Sequence, residues 1–182
     1  MNVINALEEN TLALGAFRAK VIQVSAVETD ASFRDMCASN ACGMYGKCWT
    51  CPPDIGPIDV LMTQLREYSH VLVYQTVGQL EDSYDFEGMM EAGKNHNRIA
   101  QSLRSVVAED GIAEPLYLGA GGCRVCPVCA KRTGEVCRHP DLCMSSLEAY
   151  GINVSRLAAK ADMKYINGSN TVTYFGAVFF NL

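Results

Sequence analysis

The chain of 182 residues is long enough for one domain with a buried core, and its 49% apolar content is that of a globular protein. A net charge of −5 excludes a dominant basic face, and with it nucleic acid or an anionic membrane surface as the main partner. No run of about 18 apolar residues exists to cross a bilayer, and the start Met1-Asn2-Val3-Ile4-Asn5 lacks a signal peptide's basic and apolar regions. A cytoplasmic setting, where thiols stay reduced, is therefore expected.

In chain order, residues 5–17 carry Leu7, Leu12, Leu14 and Phe17 at helical spacing, and residues 20–27 alternate as a strand. Asp30 or Ser32 is placed to cap a short helix leading to Cys37. Residues 58–68 read as a helix and 71–77 as a strand. The longest helical pattern spans 84–109, with Phe86, Met90, Gly93, Ala100, Leu103 and Val107 near one face and Gly111 ending it. A short strand at 116–118 runs into Gly119-Ala-Gly-Gly. The capping box Ser145-Ser-Leu-Glu148 starts a helix that continues towards Met163, with a break at Gly151. A β-prone strand at 172–180 closes the chain. These elements predict one α/β or α+β domain over residues 1–182. Its mixed sheet has about four strands flanked by helices, with two cysteine-rich loops meeting at one edge.

Nine cysteines in a reducing compartment need a reason other than disulfides. Four lie between Cys37 and Cys51 and five between Cys123 and Cys143, in Gly/Pro-rich segments. Scattered core packing would not group them so.

The sharper pattern is Cys123-x2-Cys126-x2-Cys129, followed by Cys137-Arg-His-Pro140. One tight loop with that triple spacing can wrap three corners of a cubane, and the chain returns with a fourth thiolate. Zinc sites more often use two separated C-x2-C pairs, so a [4Fe-4S] cluster is favoured and zinc is the alternative. Glycines 119, 121 and 122 let backbone amides approach cluster sulfides. Arg124, Lys131, Arg132 and Arg138 can offset a cluster's negative charge, although each could equally be a solvated loop charge. The first segment, Cys37-x4-Cys42-x5-Cys48-x2-Cys51-Pro-Pro, also has ligand-like spacings, with Gly43 and Gly46 to turn between them. Trp49 and Tyr45 either shield a cluster from water or pack in the core. His70 and His96 read as structural, and His139 stands beside Cys137.

Cys37-x4-Cys42, Tyr45-Gly-x2-Trp49-x-Cys51-Pro-Pro, Gly122-Cys-x2-Cys-x2-Cys129, Cys137-Arg-x-Pro140, Ser146-x-Glu-Ala-x-Gly-Ile152 and Val172-Thr-Tyr-Phe-Gly176 occur together. In that combination the chain, from about Val21 onward, resembles the "predicted metal-binding protein" family of bacteria and archaea, a cysteine-rich family of unknown function. The resemblance implies metal binding through Cys37, Cys42, Cys51, Cys123, Cys126, Cys129 and Cys137. Cys48 and Cys143 stand outside its pattern. Cys143 falls just before the helix expected at Ser145, where the helix dipole would lower its pKa. The leading expectation is one or two [4Fe-4S] clusters passing electrons to or from a redox partner. An open iron on a three-cysteine cluster acting on a small molecule, and a zinc-stabilised interaction module, are the alternatives. A homo-oligomer is compatible with the composition.

Overall fold

The computed structural model describes residues 2–182. Helix α1 (Val3–Ala13) leads into strand β1 (Arg18–Gln23), followed by the short α2 (Phe33–Ala38) and α3 (Ile58–Leu65). Strand β2 (His70–Gln79), helix α4 (Phe86–Glu109) and strands β3 (Leu116–Gly119) and β4 (Ser145–Ser146) come next. Helix α5 (Val154–Lys160) and strand β5 (Thr171–Phe180) complete the chain. The sheet has five strands in the order β1-β2-β5-β3-β4. All neighbours are antiparallel except β3 and β4, which run parallel.

Both faces of the sheet are covered, which is why β2 and β5 read as nearly continuous apolar runs. Val71, Val73, Phe175, Ala177 and Phe179 face a core closed by Leu61, Leu65 and Leu157 of α3 and α5. Leu72, Tyr74, Val178 and Phe180 face the opposite core, closed by Leu7 of α1 and by Ile99, Leu103 and Val107 of α4. Each such side chain contributes about 1.5–3 kcal/mol when fully buried. Gly176 lies opposite Tyr74 in the register. A Cβ at Gly176 would come within 2.3 Å of the Tyr74 ring, so the glycine makes room for the tyrosine.

Three expectations change on the structure. The strand expected at 20–27 stops at Gln23 and gives way to a single 3-10 turn, Val24–Ala26. Phe86 and Met90 are exposed: α4 meets the sheet through the Met89 carbonyl, which accepts the Tyr174 hydroxyl at 2.9 Å, and through Ala92, where a Cβ on Gly78 would stand 2.5 Å from the Ala92 Cβ, and these contacts leave the two side chains uncovered. No continuous helix runs from Ser145: Ser145–Ser146 is the fifth strand. The Ser146 hydroxyl does accept the Ala149 amide at 3.1 Å, as a capping residue would, but it caps a 3-10 turn, Glu148–Tyr150. Gly151, at φ 74°, ends that turn before α5 begins.

Candidate metal centre

Residues 120–144 leave the sheet at the end of β3 and re-enter it through β4, beside the strand they left. Only Ala130 and Met144 in this excursion are buried, so its own apolar content does not hold it. The first cysteine segment begins at Cys37 in the last turn of α2, runs on towards α3 and is shaped by its own turns. The Gly46 amide donates to the Pro52 carbonyl at 2.9 Å, and the Tyr45 amide to Asn40 Oδ1 at 3.0 Å. Gly43 and Gly46 adopt φ of 73° and 68°, the left-handed region that the turns require. The Arg34 guanidinium donates to the carbonyls of Gly56 and Ala149, which fastens the segment to the turn before α5.

The two loops are tied together. The Trp49 indole donates to the Glu135 carbonyl at 2.9 Å, and the Lys131 ammonium stands 4.3 Å over the Trp49 ring. The same Lys131 pairs with Asp54, just beyond Pro53. A methyl on Gly122 would lie 3.4 Å from Cys51 Sγ.

Cys123, Cys126, Cys129 and Cys137 border one recess of about 350 Å³, part of it open to solvent. Cys48 and Cys143, the two outside the family pattern, line it as well, with Trp49 and His139. The His139 carbonyl accepts the amides of Leu142 and Cys143, and this turn returns Cys143 to the recess. A wider recess on the other side of the triple run is bordered by Cys42, Cys123, Cys126 and Cys129, with Lys94, Arg124 and Arg132. Cys37 and Cys51 border neither recess. They lie close enough to Cys42 for each to feel another thiolate's charge.

The thiols are not equivalent. Cys48 is fully buried, yet its pKa is lowered, first by the Cys51 thiol that donates to it. The Thr50 side chain, with Oγ1 at 3.3 Å, and the amides of Thr50 and Cys123 add to this. Cys51 is driven up as the donor in that pair and by its own burial. Burial raises Cys123 against the amides of Val125 and Met144, and raises Cys37 against the Arg34 charge. Cys143 is pushed up to about 11 by burial and by the Cys137 and Cys123 thiolates, and its Sγ lies 3.1 Å from the Pro140 carbonyl. This is opposite to the helix-dipole expectation, because the chain enters β4 after Cys143 instead of a helix. Metal binding here must displace protons from several of these thiols.

Of the four cations expected to balance a cluster, Lys131 and Arg138 are engaged with Asp54 and Glu135. Arg124 and Arg132 form no ion pair among the described residues. Thr50 and Asp54 were not anticipated from sequence. Their signal was adjacency alone: Thr50 stands between two cysteines, and Asp54 follows the double proline. Among the described residues, no group of three or more His, Cys, Asp or Glu side chains converges in a way that would hold a single metal ion.

A domain whose cysteines gather along one sheet edge is of the metal-binding class. The chain belongs to the predicted metal-binding protein family DUF2284, whose model matches residues 20–180. Neither a curated protein nor a solved structure matches it. Among the described residues, no helix is long and apolar enough to cross a membrane.

Proposed function

We propose that the chain is an iron–sulfur protein of the cytoplasm that carries electrons to or from a partner. In this reading Cys123, Cys126, Cys129 and Cys137 hold a [4Fe-4S] cluster, and Cys37, Cys42 and Cys51 hold a second. The observation that carries it is the spread of the four C-terminal thiols around one recess without three of them converging on a point. A zinc ion draws its sulfurs to about 2.3 Å from one centre. A cubane takes its thiolates at separate corners, each on its own iron. The cluster would supply a one-electron couple whose potential is set by hydrogen bonds to sulfur and by exclusion of water. Trp49 borders the recess and limits water there, while Arg138 borders it as well and can balance charge.

Cys48 favours a second reading for the first site. It lines the C-terminal recess together with Cys123, which leaves three thiols for the first cluster and one coordination position open to a small molecule. The net charge of −5 supports a protein or small-molecule partner over nucleic acid or membrane.

The test is purification without oxygen, followed by iron, acid-labile sulfide and zinc analysis. Iron and sulfide in equal amounts, with visible absorption bleached by dithionite, are expected. Stoichiometric zinc without sulfide would overturn both readings and leave a zinc-stabilised module.

A further inference from the structure

A separate recess lies between α4 and the loop at 119–124. His96 forms part of its wall and is only 3% exposed. The ring is fixed by stacking at 5.4 Å on Tyr74 and 5.8 Å from Tyr174. Its Nδ1 meets Thr76 Oγ1 at 2.9 Å, while Nε2, on the other side of the ring, is buried without a hydrogen bond of ordinary geometry, with the Phe175 backbone near the ring. A buried nitrogen left unpaired is costly, and such groups normally face a ligand or an ordered water.

The rest of the wall is rich in donors. Arg124, Asn97 and Ser145 border it, and no Asp or Glu does. The amides of Gly121 and Gly122 make no backbone hydrogen bond among the described residues, and neither glycine has a side chain to cover its amide. Gly93, Ala100 and Met144 narrow the recess from the other sides.

We propose that this recess is a binding site for a small oxyanion of the formate class, held by Arg124, His96 Nε2 and the glycine amides beside Cys123. A guanidinium with neutral donors around it, and no competing carboxylate, selects a compact negative acceptor. The site goes beyond the iron–sulfur reading: Cys123 borders it, but no residue invoked to hold the anion is a candidate metal ligand.

The experiment titrates the oxygen-free purified protein with sodium formate by calorimetry and measures its iron in the same samples. Saturable binding is expected in the parent. Arg124→Gln should weaken it about tenfold or more with iron unchanged, the scale of one lost charge-assisted hydrogen bond. His96→Gln should weaken it too. Arg124 is on the exposed rim, so its variant keeps the test valid if the His96 variant fails to fold. Neutral formamide should bind at least about tenfold more weakly than formate, because it lacks the charge that Arg124 pairs with. No saturable formate binding in the parent would show that the recess takes water only, and would overturn the proposal. Unchanged affinity in Arg124→Gln, or formamide binding as tightly as formate, would do the same. Absence of iron with formate binding intact would count against the cluster reading alone.

Discussion

The Trp49 indole donates to the Glu135 carbonyl at 2.9 Å, so the first cysteine segment is fastened to the loop that carries the triple-cysteine run. The two cysteine loops are therefore one structural unit. If each holds a cluster, electrons have a short bonded route between them through this contact.

Cys48 and Cys51 differ in role under the proposed function. Cys48→Ala is expected to keep nearly all its iron, because its sulfur lines the recess with Cys123 without being needed as a ligand. Cys51→Ala is expected to lose the first cluster's share. Iron and sulfide per chain in the two variants, purified without oxygen, decide the matter. Equal losses would make Cys48 a ligand and close the open site.

Cys126→Ser is expected to loosen the fold as well as the site. The excursion from 120 to 144 has Ala130 and Met144 as its buried anchors, so the metal supplies most of its order. The variant should unfold about 5 °C or more below the parent. Trypsin should cut it at Lys131 or Arg132. Equal melting temperatures of the loaded proteins would contradict this.

His96 makes stability depend on pH. Burial lowers its pKa from 6.5 to about 4, and the Phe175 backbone pulls only weakly the other way. As pH falls, the unfolded chain takes up the proton first. The stability that neutral His96 contributes is thus complete above about pH 6.5 and is lost between there and about pH 4, on the order of 3 kcal/mol in all. Urea unfolding of the parent and His96→Gln across this range should converge as pH falls. Parallel curves would refute the assignment.

Gly176→Ala should destabilise the chain by about 1–3 kcal/mol, the usual cost of overpacking. The new methyl would collide with Tyr74 across the β2–β5 pair. In combination with Tyr74→Leu the loss should fall short of the sum of the single changes. Simple additivity in denaturant melts would count against the clash.

The sequence revealed what depends on local pattern. The β-prone run at 71–77, the β-prone ending and the glycine that ends α4 each lie within a few residues, and each yields the element expected. The cysteines were legible as two groups for the same reason. What sequence could not show was which thiols share a wall. Cys48 reaches Cys123 only because β3 and α3 set the two loops side by side. The fifth strand was hidden because two serines have no strand pattern. Their pairing with Leu118 and Gly119 is a tertiary fact. The exposed Phe86 and Met90 show the limit of helical periodicity, which marks a face but not where the sheet beneath it ends.

That two-residue pairing has a consequence for how the protein is made. Leu118↔Ser145 and Gly119↔Ser146 are the whole of the β3–β4 ladder, while ten residue pairs join β2 to β5. The loop bearing five cysteines thus adds little to the sheet, which is closed by the β2–β5 ladder behind it. If the proposed centre sits in that loop, its loading is separate from chain collapse: the chain without it is a closed sheet with an unlatched rim, and the inorganic centre is the latch.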